Sequence, residues 1–100
     1  MDKSSKIFIA GHRGLVGSSI LHKFQSKGHQ NIITKSHAEL DLTNQNLVED
    51  FFNKEQPAYV IIAAARVGGI KANMTYPAEF LYENFLIQNN LIWSALKTNT

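Results

Sequence analysis

Residues 11 to 17 read Gly-His-Arg-Gly-Leu-Val-Gly, a G-x-x-G-x-x-G spacing with an arginine inside it. Glycines at this spacing suit phosphate binding rather than proton transfer. Gly11 lets the chain turn sharply off a strand, and Gly14, having no Cβ, lets a pyrophosphate approach the N–H groups of the following helical turn. Gly17 lets that helix pack close to the sheet. Arg13 adds a planar guanidinium, which matches a phosphate in bidentate fashion. NAD-specific sites usually place an Asp or Glu at the end of the second strand, on the ribose 2′-hydroxyl. Here that stretch is Thr34-Lys35-Ser36-His37, with no acid and further positive charge from Lys35 and His37. The expectation is NADP over NAD. In the rival reading Glu39 or Asp41 holds the ribose and Arg13 is solvated.

Residues for proton transfer are missing from the same stretch of chain. Tyr59, Tyr76 and Tyr82 are followed four positions later by Ala63, Phe80 and Leu86, so none has the lysine that would lower a tyrosine pKa for acid–base work. They read as packing residues. His12, His22, His29 and His37 show no paired ligand spacing, and cysteine is absent, so no metal site is expected. No catalytic residue is assigned within residues 1–100.

The elements that must position the glycine loop follow from periodicity. Ile7-Phe8-Ile9-Ala10 reads as a strand buried on both faces, within a span of about 6–10. A helix is expected from near Gly14 to Lys27, with Val16, Ile20, Leu21 and Phe24 on its apolar face and Gly28 as its stop. Asn31–Thr34 is a second strand, and Lys35–Leu42 a loop returning to the sheet. Thr43 is the expected N-cap of a second helix, whose apolar stripe is Leu47, Val48, Phe51 and Phe52. Pro57 separates it from a third strand, Tyr59–Ala63. A loop over 64–76 leads to a third helix, which runs from Pro77 to about Lys97.

Strands alternating with helices in this way define an α/β fold: the N-terminal part of a Rossmann-type, doubly wound parallel sheet. A strand order beginning 3-2-1 would leave the first strand as a bare apolar edge, an aggregation hazard. Residues 6–100 are therefore expected to be part of a larger fold, behind a frayed tail at 1–5. The third helix is apolar most of the way round, through Phe80, Leu81, Phe85, Leu86, Ile87, Leu91, Ile92, Trp93 and Leu96. A helix of this kind is buried on two sides. One side can cover the sheet, and the other needs a second subunit or a further part of the chain, of which a homodimer through residues 77–97 is the expectation. A net charge of +2, with scattered basic residues, gives nucleic-acid binding no support. No run is long enough to span a membrane and the start, MDKSSK, lacks a signal-peptide core, so a cytoplasmic protein is expected.

The segments IFIAGHRGLVGS, HAELDLT, AAARVGGIKAN and TYPAEF resemble successive motifs of the GDP-L-fucose synthase family, within the extended short-chain dehydrogenase/reductases. The resemblance covers about residues 6–97. It implies an NADP-dependent 3,5-epimerase/4-reductase acting on the GDP-sugar GDP-4-keto-6-deoxy-D-mannose, with this chain as its cofactor-binding portion, inactive alone. It also implies that Gly11, His12, Arg13, Gly14, Leu15, Val16 and Gly17 hold the pyrophosphate, with Arg13 at the 2′-phosphate. His37, Ala38, Glu39, Leu40, Asp41 and Leu42 surround the adenosine end, and Ala63, Ala64 and Ala65 lie beside the cofactor. His37 stands where bacterial members often carry arginine, Arg66 replaces the usual lysine, and Met74 a usual asparagine. Two other readings remain open: another extended short-chain nucleotide-sugar dehydratase or 4-epimerase, and a non-catalytic dinucleotide-binding or dimerisation module.

Overall fold

A computed structural model describes residues 2–63 and 77–100. The elements run in the order β1 (Ile7–Ala10), α1 (Leu15–Ser26), β2 (Ile32–Thr34), α2 (Gln45–Glu55), β3 (Tyr59–Ile62) and α3 (Pro77–Lys97). The expected loop over 64–76, with Ala64, Ala65, Arg66, Met74 and Tyr76, and the side chains of Phe80 and Leu81 lie outside the described residues.

The three strands are parallel, as expected, but their order is β2-β1-β3. The 3-2-1 expectation is therefore corrected, and β1 is the central strand rather than an edge. Phe8 stands opposite both Ile33 and Val60. The pairing begins just before the strand, where the Ile7 N–H donates to the Asn31 carbonyl and the Ala58 N–H to that of Lys6. The four residues of β1 are the most apolar run available, and at the centre all of them fall to 1% exposure or less. The outer strands keep the residues that tolerate water, Thr34 on β2 and the partly exposed Tyr59 and Ile62 on β3. The argument that a bare apolar edge demands further strands falls with this order.

Alternation along β1 divides the molecule. Phe8 and Ala10 face one side, where they form a core with Leu40, Val48, Phe52, Ile87 and Leu91. Phe8 also meets Phe51 at a ring distance of 4.6 Å and Phe52 edge-on at 6.0 Å. Ile7 and Ile9, fully buried, alternate to the other side, where α1 lies against β1. The step from β1 to β2 and the step back across β1 to β3 run in opposite directions, so right-handed crossovers put α1 and α2 on opposite faces.

Three side-chain expectations change. Val16 is exposed, because the face of α1 that meets the sheet is centred on Gly17, Ile20, Leu21 and Phe24 (i, i+3, i+4, i+7), and Val16 falls on its flank. Leu47 is exposed for the same reason: α2 buries Val48 and Phe52, with Phe51 beside them. The N-cap of α2 is Asn44 rather than Thr43, its side chain accepting from the Leu47 N–H at 3.1 Å. Thr43 is diverted, its hydroxyl and N–H both donating to Asp41 Oδ1, at 2.6 and 3.0 Å. On α3, Ile87, Asn90, Leu91 and Ser94 are buried, whereas Tyr82, Phe85, Ile92, Trp93 and Leu96 are exposed.

Candidate dinucleotide site

The loop after β1 is built by three glycines with three different reasons. Gly11 sits at φ 89°, a left-handed conformation that favours glycine, and its carbonyl accepts from the Gly14 N–H at 3.2 Å to close the turn. At Gly17 a Cβ would collide with the Gly11 carbonyl oxygen and stand 2.6 Å from its carbon, so bare backbone is required there. Gly14 has neither constraint. Its backbone is extended and a Cβ would meet only the Gly11 oxygen, at an ordinary 3.6 Å. Nothing within the described residues calls for glycine at this position, whereas a ligand approaching the first turn would.

That first turn has no side chain capping it and no acid within it. The Ser18 and Ser19 hydroxyls bond back to the Leu15 carbonyl, at 3.1 and 3.0 Å. A helix start left in this state presents N–H groups and a positive dipole end, which suits an anion.

The loop after β2 is tied to itself. Ser36 and Glu39 form a reciprocal capping box. The Glu39 carboxylate accepts from the Ser36 N–H at 2.8 Å, and the Ser36 hydroxyl oxygen accepts from the Glu39 N–H at 3.2 Å. These bonds, with smaller help from the Lys35 and Arg13 charges, hold the Glu39 carboxyl below its ordinary pKa. The Asp41 carboxyl is lowered by the Thr43 hydroxyl first, then by the Thr43 N–H, with a lesser contribution from His37. Both acids that could receive a ribose hydroxyl therefore spend an oxygen on their own loop.

Between the two loops lies a cavity of about 680 Å³ at the carboxyl ends of β1 and β2, where doubly wound sheets bind ligands. The first loop contributes Gly11, His12, Arg13 and Gly14 to it, and the second contributes Lys35, Ser36, His37, Leu40, Asp41, Leu42 and Thr43. Glu83 and Ile87 of α3 close its side. Two basic side chains, Arg13 and Lys35, thus stand in one cavity with an uncapped helix start.

Of the residues expected from sequence, the cavity brings together Gly11, His12, Arg13, Gly14, His37, Leu40, Asp41 and Leu42. Leu15 and Val16 are exposed in the first turn, Gly17 is buried behind it, and Ala38 and Glu39 are exposed on the second loop; none of these lines the cavity. Ala63 sits beside β1, its N–H donating to the Ala10 carbonyl at 2.8 Å. Ser36, Thr43, Glu83 and Ile87 were not expected. The Ser-x-x-Glu spacing at 36–39 is a readable signal for the first. Glu83 and Ile87, four apart, share a helix face, but only the tertiary fold says what that face meets. Tyr59 and Tyr82 are surface residues rather than packing residues, one opening an edge strand and the other on the outward side of α3. Neither lines the cavity.

Residues 7–100 match the model of the NAD dependent epimerase/dehydratase family. The chain is 63% identical over 94 residues to GDP-L-fucose synthase 1 of Arabidopsis thaliana, covering 94% of this chain and 29% of that protein. To the GDP-L-fucose synthase of Escherichia coli K12 it is 46% identical over 90 residues, covering 90% and 28%. Among solved structures it is similar to a GDP-mannoheptose C4 reductase from Campylobacter jejuni with NADP bound, at a TM-score of 0.94 and 42% identity, covering 100% of this chain and 32% of that one. The chain thus spans under a third of the length of these relatives. A glycine loop at the end of a central parallel strand, and a match over nearly the whole chain, have one outcome: the protein belongs to the NAD dependent epimerase/dehydratase family.

Proposed function

We propose that this chain is the NADP-binding portion of a nucleotide-sugar epimerase/reductase that converts GDP-4-keto-6-deoxy-D-mannose to GDP-L-fucose. The observation that carries the reading is the single cavity joining the uncapped start of α1 to Arg13, Lys35 and His37, with Glu39 and Asp41 turned onto their own loop. The GDP-L-fucose synthases among its relatives, and a similar reductase solved with NADP bound, support the substrate class and the cofactor.

In this reading the Gly11–Gly14 turn and the first-turn amides at Leu15, Val16 and Gly17 hold the pyrophosphate. Arg13, assisted by Lys35 and His37, holds the 2′-phosphate. Leu40 and Leu42 wall the adenosine end, with Ala38, Glu39 and Asp41 in the same loop, and Ala63 to Ala65 lie beside the nicotinamide half. The bound cofactor supplies hydride for reduction of the keto sugar. Residues 6–100 form part of a Rossmann domain, and no residue within 1–100 is assigned to proton transfer. The stripe Tyr82, Phe85, Ile92, Trp93 and Leu96 on α3 is the contact face of a homodimer, a reading its exposure supports.

The test is Arg13→Ala with NADPH and NADH titrated in parallel. A charge-assisted phosphate contact of this kind contributes roughly 1.5–3 kcal/mol, so NADPH affinity should fall about 10- to 100-fold. NADH affinity should change less than about threefold. Equal losses for the two cofactors overturn the assignment.

A further inference from the structure

The wall formed by residues 40–43 is fastened from outside the cavity, by α3. Asn90 lies in the middle of that helix, flanked by the buried Ile87 and Leu91, and is itself only 6% exposed. Its Nδ2 donates to the Leu42 carbonyl at 2.9 Å, across 48 residues of sequence. An amide buried among apolar neighbours is costly unless it is bonded, so this bond accounts for a polar residue at a core position. Its neighbour Asn89 is exposed and shows no such constraint.

Leu42 is where the fastening bears on the cavity. It lines the cavity together with Leu40, Asp41 and Thr43, and its side chain packs on the core cluster that holds Leu40, Ile87 and Leu91. Apolar packing resists withdrawal of the loop but does not set its position along the helix. A directional bond to one carbonyl does. The Asp41–Thr43 bonds span Leu42 and the Asn44 cap follows it, so a shift at Leu42 would carry this whole corner with it.

We infer that Asn90 is a positioning residue for the adenosine end of the cofactor site, locking the 40–43 wall to α3 without touching the ligand itself. This inference rests on the dinucleotide reading of the cavity given above. The test is Asn90→Ala in the full chain, titrated with adenosine 2′,5′-bisphosphate and separately with reduced nicotinamide mononucleotide. With the circular dichroism of the wild type retained, affinity for the adenosine fragment should fall about tenfold, whereas the nicotinamide fragment should bind within about twofold of wild type. Asn90→Ser keeps a hydroxyl donor near the carbonyl and should show an intermediate loss; it also takes over the test where the alanine variant does not fold. Unchanged adenosine-fragment binding by a folded variant overturns the positioning role, as does equal loss of both fragments, which is the signature of general destabilisation. Wild-type protein that binds neither fragment overturns the reading of the cavity and this inference with it.

Discussion

The two helices that follow β1 and β2 begin in opposite ways. α2 is closed by its own chain: Asn44 accepts from the Leu47 N–H, and the turn leading into it is tied by Asp41 and Thr43. α1 begins at a glycine with no capping side chain and no acid in its first turn. A Ser, Thr, Asn or Asp at position 14 would supply a capping side chain, worth about a few tenths of a kcal/mol over glycine. Forgoing it leaves the N–H groups and the positive end of the dipole for something outside the chain, and this start opens onto the cavity that holds Arg13 and Lys35. One helix start is closed by its own chain and the other is left open, as the proposed anion site requires.

The largest effect that would break this contrast lies just behind the open end. Gly17→Ala puts a methyl group into the Gly11 carbonyl, which is backbone and has no rotamer to escape through. Overpacking of this kind costs about 3 kcal/mol, and a thermal melt of this 100-residue chain should fall by roughly 10–20 °C. An unchanged melt would mean that the loop is not built around Gly17. Gly14→Ala should behave differently. Its φ of −73° and ψ of 167° suit alanine, and its Cβ meets only one atom, at 3.6 Å. The reduced freedom of the unfolded chain offsets the poorer cap, so stability should stay within about 1 kcal/mol of wild type. NADPH affinity should nevertheless drop about tenfold, because in the proposed reading the new methyl group stands where the phosphate would approach. A variant that keeps full affinity would show that the open helix end is not the phosphate site.

The same contrast divides what was legible in the sequence from what was not. Local chemistry carried well. The glycine spacing marks the loop, the acid-free end of β2 marks the charge of the cavity, and the 21-residue α3 is plain from its apolar pattern. Pairing did not carry. Nothing in Ile7–Ala10 says whether β3 joins its free edge or lies beyond β2, because both orders satisfy the same alternation of strand and helix. The cap of α2 was misplaced by one residue because Thr43 and Asn44 both suit the position, and Asp41 decides between them by taking the Thr43 hydroxyl. Asn90 was invisible as a tie to Leu42, since 48 residues separate donor from acceptor.

On the closed side, Asn44→Ala removes the acceptor of the Leu47 N–H and should cost about 1 kcal/mol in denaturant melts. NADPH affinity should remain within about twofold of wild type. A larger binding loss would mean that the capped corner also serves the ligand, and the separation of roles between the two helix starts would fail.

The smallest effect concerns the acid that braces this corner. Asp41 is held below its ordinary pKa by the Thr43 hydroxyl and N–H, so the folded state binds this proton less readily than the unfolded state does. The stabilisation is therefore fully present above the unfolded Asp value, near 3.9, and is lost as pH falls through the lower folded value. Asp41→Asn keeps an oxygen that accepts from Thr43 but removes the titration. Its stability should fall less steeply than that of wild type between about pH 4 and pH 2, while the two proteins respond alike between pH 6 and pH 8. Urea melts at a series of pH values would measure both limbs. Parallel acid limbs would mean that the Asp41 carboxylate does not brace the corner, and that Asn44 alone closes the start of α2.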